Sequence, residues 1–142
     1  MQRYRNILVA IDCSPVDDTV IAQVSALALK IGATVHLLHV VHSHTLDQDR
    51  ALREEALVVL DSYCRQMQSE GIDARIIIRS GEPDREILEE IAGNRYDLLA
   101  MATHGHNLMG RILFGSVSRT LRQKITIPLL LIKAEPRESK AR

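Results

Sequence analysis

Five short runs of nearly consecutive apolar residues recur along the chain: NILVAI at 6–11, TVHLLHVV at 34–41, IDARIIIR at 72–79, YDLLAMAT at 96–103 and IPLLLIK at 127–133. Runs of this length suit strands buried on both faces, the condition of a parallel sheet covered by helices. Between them the apolar period lengthens to 3.6. From 15 to 31 the apolar positions are Val20, Ile21, Val24, Leu27, Ala28 and Ile31, with Ser14 placed as N-cap, Pro15 in the first turn and Asp17 completing a start that resembles a capping box. Leu52, Ala56, Leu60, Tyr63 and Met67 mark a second helix over about 46–70. Pro83 opens a third that runs through about 92, and Val117, Leu121 and Ile125 mark a fourth. Gly32, Gly71 and Gly93 stand where helical patterns stop, where a left-handed residue is expected.

Strands alternating with single helices imply right-handed βαβ crossovers, and hence a doubly wound α/β fold with five parallel strands and helices on both faces. In such folds the ligand crevice lies at the carboxyl ends of the strands. The loops after strands 1 and 4 both fall there. No internal repeat or linker divides the chain, so a single domain over 1–134 is expected, followed by a charged, mobile tail, EPRESKAR, at 135–142.

Composition narrows the partners. At 142 residues the chain is long enough for one core, burying roughly two thirds of its unfolded surface. Lys plus Arg equals Asp plus Glu, 18 against 18, so no global field draws it to nucleic acid or to an acidic membrane. With no Trp, one Phe and three Tyr the core is aliphatic, and base stacking on aromatic side chains is not expected. No segment approaches the roughly 20 apolar residues that span a bilayer, and the start, MQRYRNILVAID, does not read as a signal peptide. A cytoplasmic location with no membrane partner is the expectation. Cys13 and Cys64 have no CxxC spacing and read as free thiols.

The richest chemistry lies after strand 4. In THGHNLMGRILFGSVS, Gly105, Gly110 and Gly115 crowd together and lead through Ser116 and Ser118 into a helix, a pattern that presents backbone N–H groups and hydroxyls to an anion. Arg111 in this loop is expected to be solvated. Asp12, after strand 1, is a carboxylate at the crevice able to accept from a ribose hydroxyl or an adenine amine. Val40 and Val41, ending strand 2, can offer backbone groups to a base edge. His36, His39, His42 and His44 suggest a metal, but alternation puts His36 and His42 on one face, about 20 Å apart, and His39 on the other. No dedicated metal site is expected. The chain has no GxxxxGK[ST], no G-x-S-x-G elbow and no nucleophile–base pair. Its acidic DCSPVDD after strand 1 does not suit a flavodoxin-like phosphate loop, and Ser80 and Gly81 stand where a receiver domain needs its aspartate. Binding is better supported than turnover.

The whole pattern, RNILVAIDCSP, HLLHVV, SGEP, YDLLAMATHG and GSVSRTLRQKITIPLLLIK, resembles the small, single-domain universal stress proteins. Their nucleotide-binding branch carries G-x-x-G-x9-G-[ST] after strand 4. Here Ala102, Gly105, Gly115 and Ser116 occupy those positions, so the spacing is kept and the first glycine is replaced. The resemblance implies sheet order 3-2-1-4-5 and a site made of Asp12, Val40, Val41, Ala102, His104, Gly105, Gly115, Ser116, Val117 and Ser118, with His106 flanking it. It implies ATP, ADP or AMP as a regulatory ligand in a stress-response role, with Mg2+ or Mn2+ bridging phosphates, and a homodimer through strand 127–133. Pairing there would shield the edge PLLLI, whose Pro128 is tolerated at a strand's start. The alternatives are a nucleotide-free dimeric interaction module, favoured by Ala102, and an enzyme that hydrolyses ATP slowly.

Overall fold

The computed structural model describes residues 4–103 and 119–133. The chain lays down β1 (Asn6–Ala10), α1 (Asp17–Ile31), β2 (Thr34–Val41), α2 (Leu46–Ser69), β3 (Ala74–Ser80), α3 (Pro83–Ala92), β4 (Leu98–Thr103) and β5 (Leu129–Lys133). Residues 119–124 are helical as well. All four strand pairings are parallel, and the order is β3-β2-β1-β4-β5. Fold class and strand order therefore agree with expectation. The tail at 135–142 lies outside the described residues.

Because the inner strands are apolar on both faces, the sheet has two cores. One face buries Ile7, Val9, Ile11, Val35 and Leu37 against Val20, Val24 and Ala28 of α1 and Leu60 and Met67 of α2. The other buries Leu8, Ala10, Leu38, Leu99 and Met101 against Ile87 of α3 and Leu121. At 25 cal/mol per Å2, each fully buried Leu or Ile stabilises the fold by roughly 1.5–3 kcal/mol. Burial on both faces is what makes β1, the central strand, the fixed element from which the crevice loop springs.

Helix ends follow local chemistry with two departures from expectation. Thr45 caps α2, its Oγ1 accepting from Gln48 N–H at 3.0 Å while Gln48 Oε1 accepts from His44 N–H at 2.8 Å. Gly32 takes φ 72° and donates to Ala28 O, as a left-handed cap should. Gly93, by contrast, sits at φ −91° and ψ 0°, so α3 ends without a left-handed residue. The second departure is at α1, which begins at Asp17 rather than 15. Pro15 lies before the helix, and the Ser14 hydroxyl does not cap it.

Candidate functional site

The loop from Ile11 to Val16 leaves the central strand at the carboxyl end of the sheet. Ile11 N–H still donates to Leu38 O at 2.7 Å, extending the β1–β2 ladder by one bond. Beyond it the backbone turns sharply. Cys13 has φ 60°, a left-handed conformation that costs an L-residue about 1–2 kcal/mol. Hydrogen bonds on either side of it brace the turn.

Those bonds come from Asp17. Its Oδ1 accepts from Asp12 N–H at 2.9 Å and its Oδ2 from Ser14 N–H at 3.1 Å. Half of the expected capping box thus forms, the acid reaching back to the loop. The other half does not, because Asp17 N–H donates to the Ser14 carbonyl at 3.0 Å. Ser14 Oγ is left buried with no hydrogen-bond partner. Asp17 is itself 1% exposed. Burial pushes its carboxyl up to about 6; the bonds from Asp12 and Ser14 oppose that rise and the Asp12 carboxylate adds to it. The capping-box reading anticipates its bond from Ser14 N–H but not its bond from Asp12 N–H, which shapes the loop.

Asp17 accepts from the turn's N–H groups, and Asp12 stands half-buried at the carboxyl end of the sheet. From the other side, His39 Nδ1 lies 2.7 Å from Ile11 O. A carbonyl oxygen only accepts, so this ring nitrogen carries the proton. Behind the loop, Tyr63 of α2 donates to Asp18 Oδ1 at 2.6 Å, and burial, then that bond, raise its hydroxyl pKa.

Val40 and Val41 differ in what they offer. Val41 O accepts from Gly81 N–H at 2.9 Å, so that carbonyl is engaged on the β3 side. Backbone groups alternate sides along a strand, so those of Val40 point, like Leu38's, toward β1, which has ended at this level. The Val40 peptide edge therefore faces the space above the end of β1. Ala102, in β4 opposite Ile132, is 2% exposed and packs in the core shared with α1. Its methyl is accommodated by that core. His104, Gly105, Gly115, Ser116, Val117 and Ser118 lie outside the described residues, as do His106, Gly110 and Arg111.

The other described histidines have partners of their own. His36 Nε2 meets Asn6 Oδ1 at 3.0 Å and its ring stands edge-on to Tyr96. Burial, then the Arg75 charge, lower its pKa. His42 and His44 rings approach to 5.7 Å, with Glu82 Oε2 3.5 Å from His42 Nδ1. Among the described residues no group of three or more His, Cys, Asp or Glu could hold a metal ion. No described helix is long and apolar enough to cross a membrane.

A parallel sheet of order 3-2-1-4-5, with a carboxylate-bearing loop braced at the carboxyl end of its central strand, defines a doubly wound α/β protein, a class whose ligand crevices lie at that end of the sheet. The chain belongs to the universal stress protein family, whose model matches residues 3–133. It is 26% identical to the universal stress protein YxiE of Bacillus subtilis, over 92% of this chain and 99% of that protein. The solved structure of MJ0577, a universal stress protein of Methanocaldococcus jannaschii, superposes with a TM-score of 0.80 at 25% identity, covering 98% of this chain and all of that one. The structure of a universal stress protein from Archaeoglobus fulgidus in complex with dAMP gives 0.71 at 23% identity, covering 93% of this chain and all of that one.

Proposed function

We propose that the protein binds an adenine nucleotide, ATP, ADP or AMP, as a regulatory ligand in the crevice between the β1 and β4 ends. The observation that carries this reading is the pairing of a braced carboxylate, Asp12, with the peptide edge of Val40 across the end of β1. A carboxylate there suits ribose hydroxyls or the adenine amine, and a peptide edge offers one donor and one acceptor to the base. Support comes from the Archaeoglobus relative of the same fold solved with dAMP, and from the spacing of Gly105, Gly115 and Ser116 in the sequence. On this reading those residues, with His104, Val117 and Ser118, surround the phosphates, and Mg2+ or Mn2+ would be held through phosphate oxygens. Nucleotide occupancy would then bias partner binding in a stress-response role. Hydrolysis is not part of the reading.

A homodimer through β5 belongs to the same proposal. β5 is an edge strand whose Leu129, Leu130 and Leu131 are only partly buried, and antiparallel pairing with a second copy would cover it. A single monomeric species in sedimentation at micromolar concentration would refute it. Ala102 in the first glycine position favours one second reading, a nucleotide-free interaction module.

To decide between the two, freshly purified protein is denatured and the supernatant assayed by mass spectrometry for nucleotide. ATP and AMP are then titrated calorimetrically into the emptied protein. Bound or titratable adenine nucleotide is the expected result. No uptake of either at millimolar concentration would refute the nucleotide reading and leave the interaction module.

A further inference from the structure

The peptide unit joining Ile11 to Asp12 is gripped at both polar ends by side chains from different elements. Its carbonyl oxygen lies 2.7 Å from His39 Nδ1, on β2. Its N–H donates over 2.9 Å to Asp17 Oδ1, in the first turn of α1. Two hydrogen bonds at opposite ends of one rigid plane stop it from rotating, because neither ψ of Ile11 nor φ of Asp12 can change without breaking one. The second Asp17 oxygen holds Ser14 N–H at 3.1 Å, which pins the chain on the far side of the left-handed Cys13.

We propose that Asp17 and His39 are positioning residues for the nucleotide: by locking the Ile11–Asp12 peptide they aim the Asp12 carboxylate into the crevice. Neither touches the ligand. This inference rests on the nucleotide reading above. His39 has a second consequence for the site. The Ile11 carbonyl is the next acceptor that a continuing parallel ladder would offer to Val40 N–H. The imidazole bonds that oxygen at the level where the β1–β2 ladder runs out, which fixes the Ile11 carbonyl beside the Val40 edge.

The choice of an acid at position 17 fits this role better than simple helix capping. One hydroxyl of Ser or Thr would cap the helix without burying a charge, and α2 is capped in that way by Thr45. Only a carboxylate or amide has two polar atoms, and only a carboxylate accepts on both. Asp12 and Ser14 require two acceptors on one side chain.

The test uses the full chain, with ATP and AMP titrated calorimetrically into wild-type, Asp17→Ala, Asp17→Asn, His39→Phe and His39→Asn proteins. Asp17→Ala removes a charge-assisted bond to the locked peptide and is expected to weaken nucleotide by about 30-fold. Asp17→Asn keeps one accepting oxygen and should lose about 5-fold; His39→Phe should lose about 10-fold, and His39→Asn, whose amide can donate near the Nδ1 position, should recover most of that. Val24→Ala, in the buried face of α1, serves as a stability-matched control and should leave affinity within about twofold. Folded Asp17→Ala and His39→Phe proteins with wild-type affinity would overturn the inference, as would an equal loss in Val24→Ala. Should the Ala or Phe variants not fold, amide exchange in the wild type decides. Asp12 and Ser14 N–H exchange slowed further by saturating ATP supports the inference, and exchange unchanged by ATP overturns it. Wild-type protein that takes up neither nucleotide overturns both this inference and the reading beneath it.

Discussion

Replacing Asp17 with Asn should change how stability depends on pH, and the size of the change follows from burial. The Asp17 carboxyl is pushed from its ordinary 3.8 up to about 6. A folded pKa above the unfolded one means that the folded state holds the proton more tightly. The resulting stability is fully present below pH 3.8 and lost as pH rises through 6. A shift of this size corresponds to about 3 kcal/mol, of which roughly 2.5 kcal/mol separates pH 4 from pH 7.5. Asn cannot ionise. It also loses one accepting oxygen, but that loss does not depend on pH and cancels when the two proteins are compared across pH. Repulsion from Asp12 is removed along with the charge and is already counted in the shift.

The measurement is urea unfolding of wild-type and Asp17→Asn proteins at pH 4, 5, 6, 7 and 7.5, at one protein concentration so that any self-association is held constant. The stability of the wild type relative to the variant should fall by roughly 2.5 kcal/mol from pH 4 to pH 7.5, about half of it by roughly pH 5 and most of it by pH 6. A flat difference would mean that the N–H bonds from Asp12 and Ser14 offset the cost of burial. A difference that grows with pH would mean that those bonds prevail and the carboxyl is depressed. Either result would refute the account of Asp17 as a carboxylate held at a cost in stability.

Four further outcomes are expected from stability measurements at pH 7. Ser14→Ala should be neutral or stabilising by up to about 1 kcal/mol, because it removes a buried hydroxyl with no partner rather than a cap; a loss of the usual capping magnitude would contradict the observed α1 start. Arg79→Leu should cost about 3–5 kcal/mol by leaving Glu86 and the 6%-exposed Glu90 without their cation, whereas loss of the exposed Arg75–Asp73 pair should cost under about 1 kcal/mol. Gly32→Ala should cost about 1 kcal/mol for its left-handed φ alone, since no atom crowds the added methyl, while Gly93→Ala at φ −91° should be close to neutral. Ala102→Gly should lower stability by about 1 kcal/mol, its methyl being part of the core under α1; calorimetry should find nucleotide affinity little changed.

What the sequence reveals here depends on how far apart the cooperating residues are. The strands are legible because burial on both faces imposes continuous apolar runs, and the helices because one face is buried at a 3.6-residue period. Pro83 marks the start of α3 because a missing N–H costs nothing there. At α1 the same local logic points to Ser14, a good cap followed by proline. The choice is decided instead by a bond that local patterns do not encode, the reach of Asp17 back across Cys13 to Asp12. The grip of His39 on Ile11 spans 28 residues and leaves no periodic trace. As a result the sequence singles out Asp12 as a candidate, while the bonds that Asp17 and His39 make to its peptide leave no mark on the pattern.

The distribution of cost over the molecule supports placing function at that loop. Two buried acids can be compared. Glu90, on the α3 face, accepts from Arg79, Asn94 and Tyr96, the last at 2.6 Å, so its charge is neutralised and its oxygens satisfied. Asp17 is buried as deeply, and among the described residues no cation bonds to it; it accepts from backbone N–H groups, beside a second carboxylate. Within five residues of it lie a left-handed Cys13 and a buried hydroxyl without a partner. A fold selected only for stability would relieve each of these with a common substitution: Gly for Cys13, Ala for Ser14, Ser for Asp17. Their coexistence on the one loop that springs from the central strand into the crevice is what a site held in a fixed shape requires, and it directs the first mutations to Asp17 and His39 rather than to Asp12 alone.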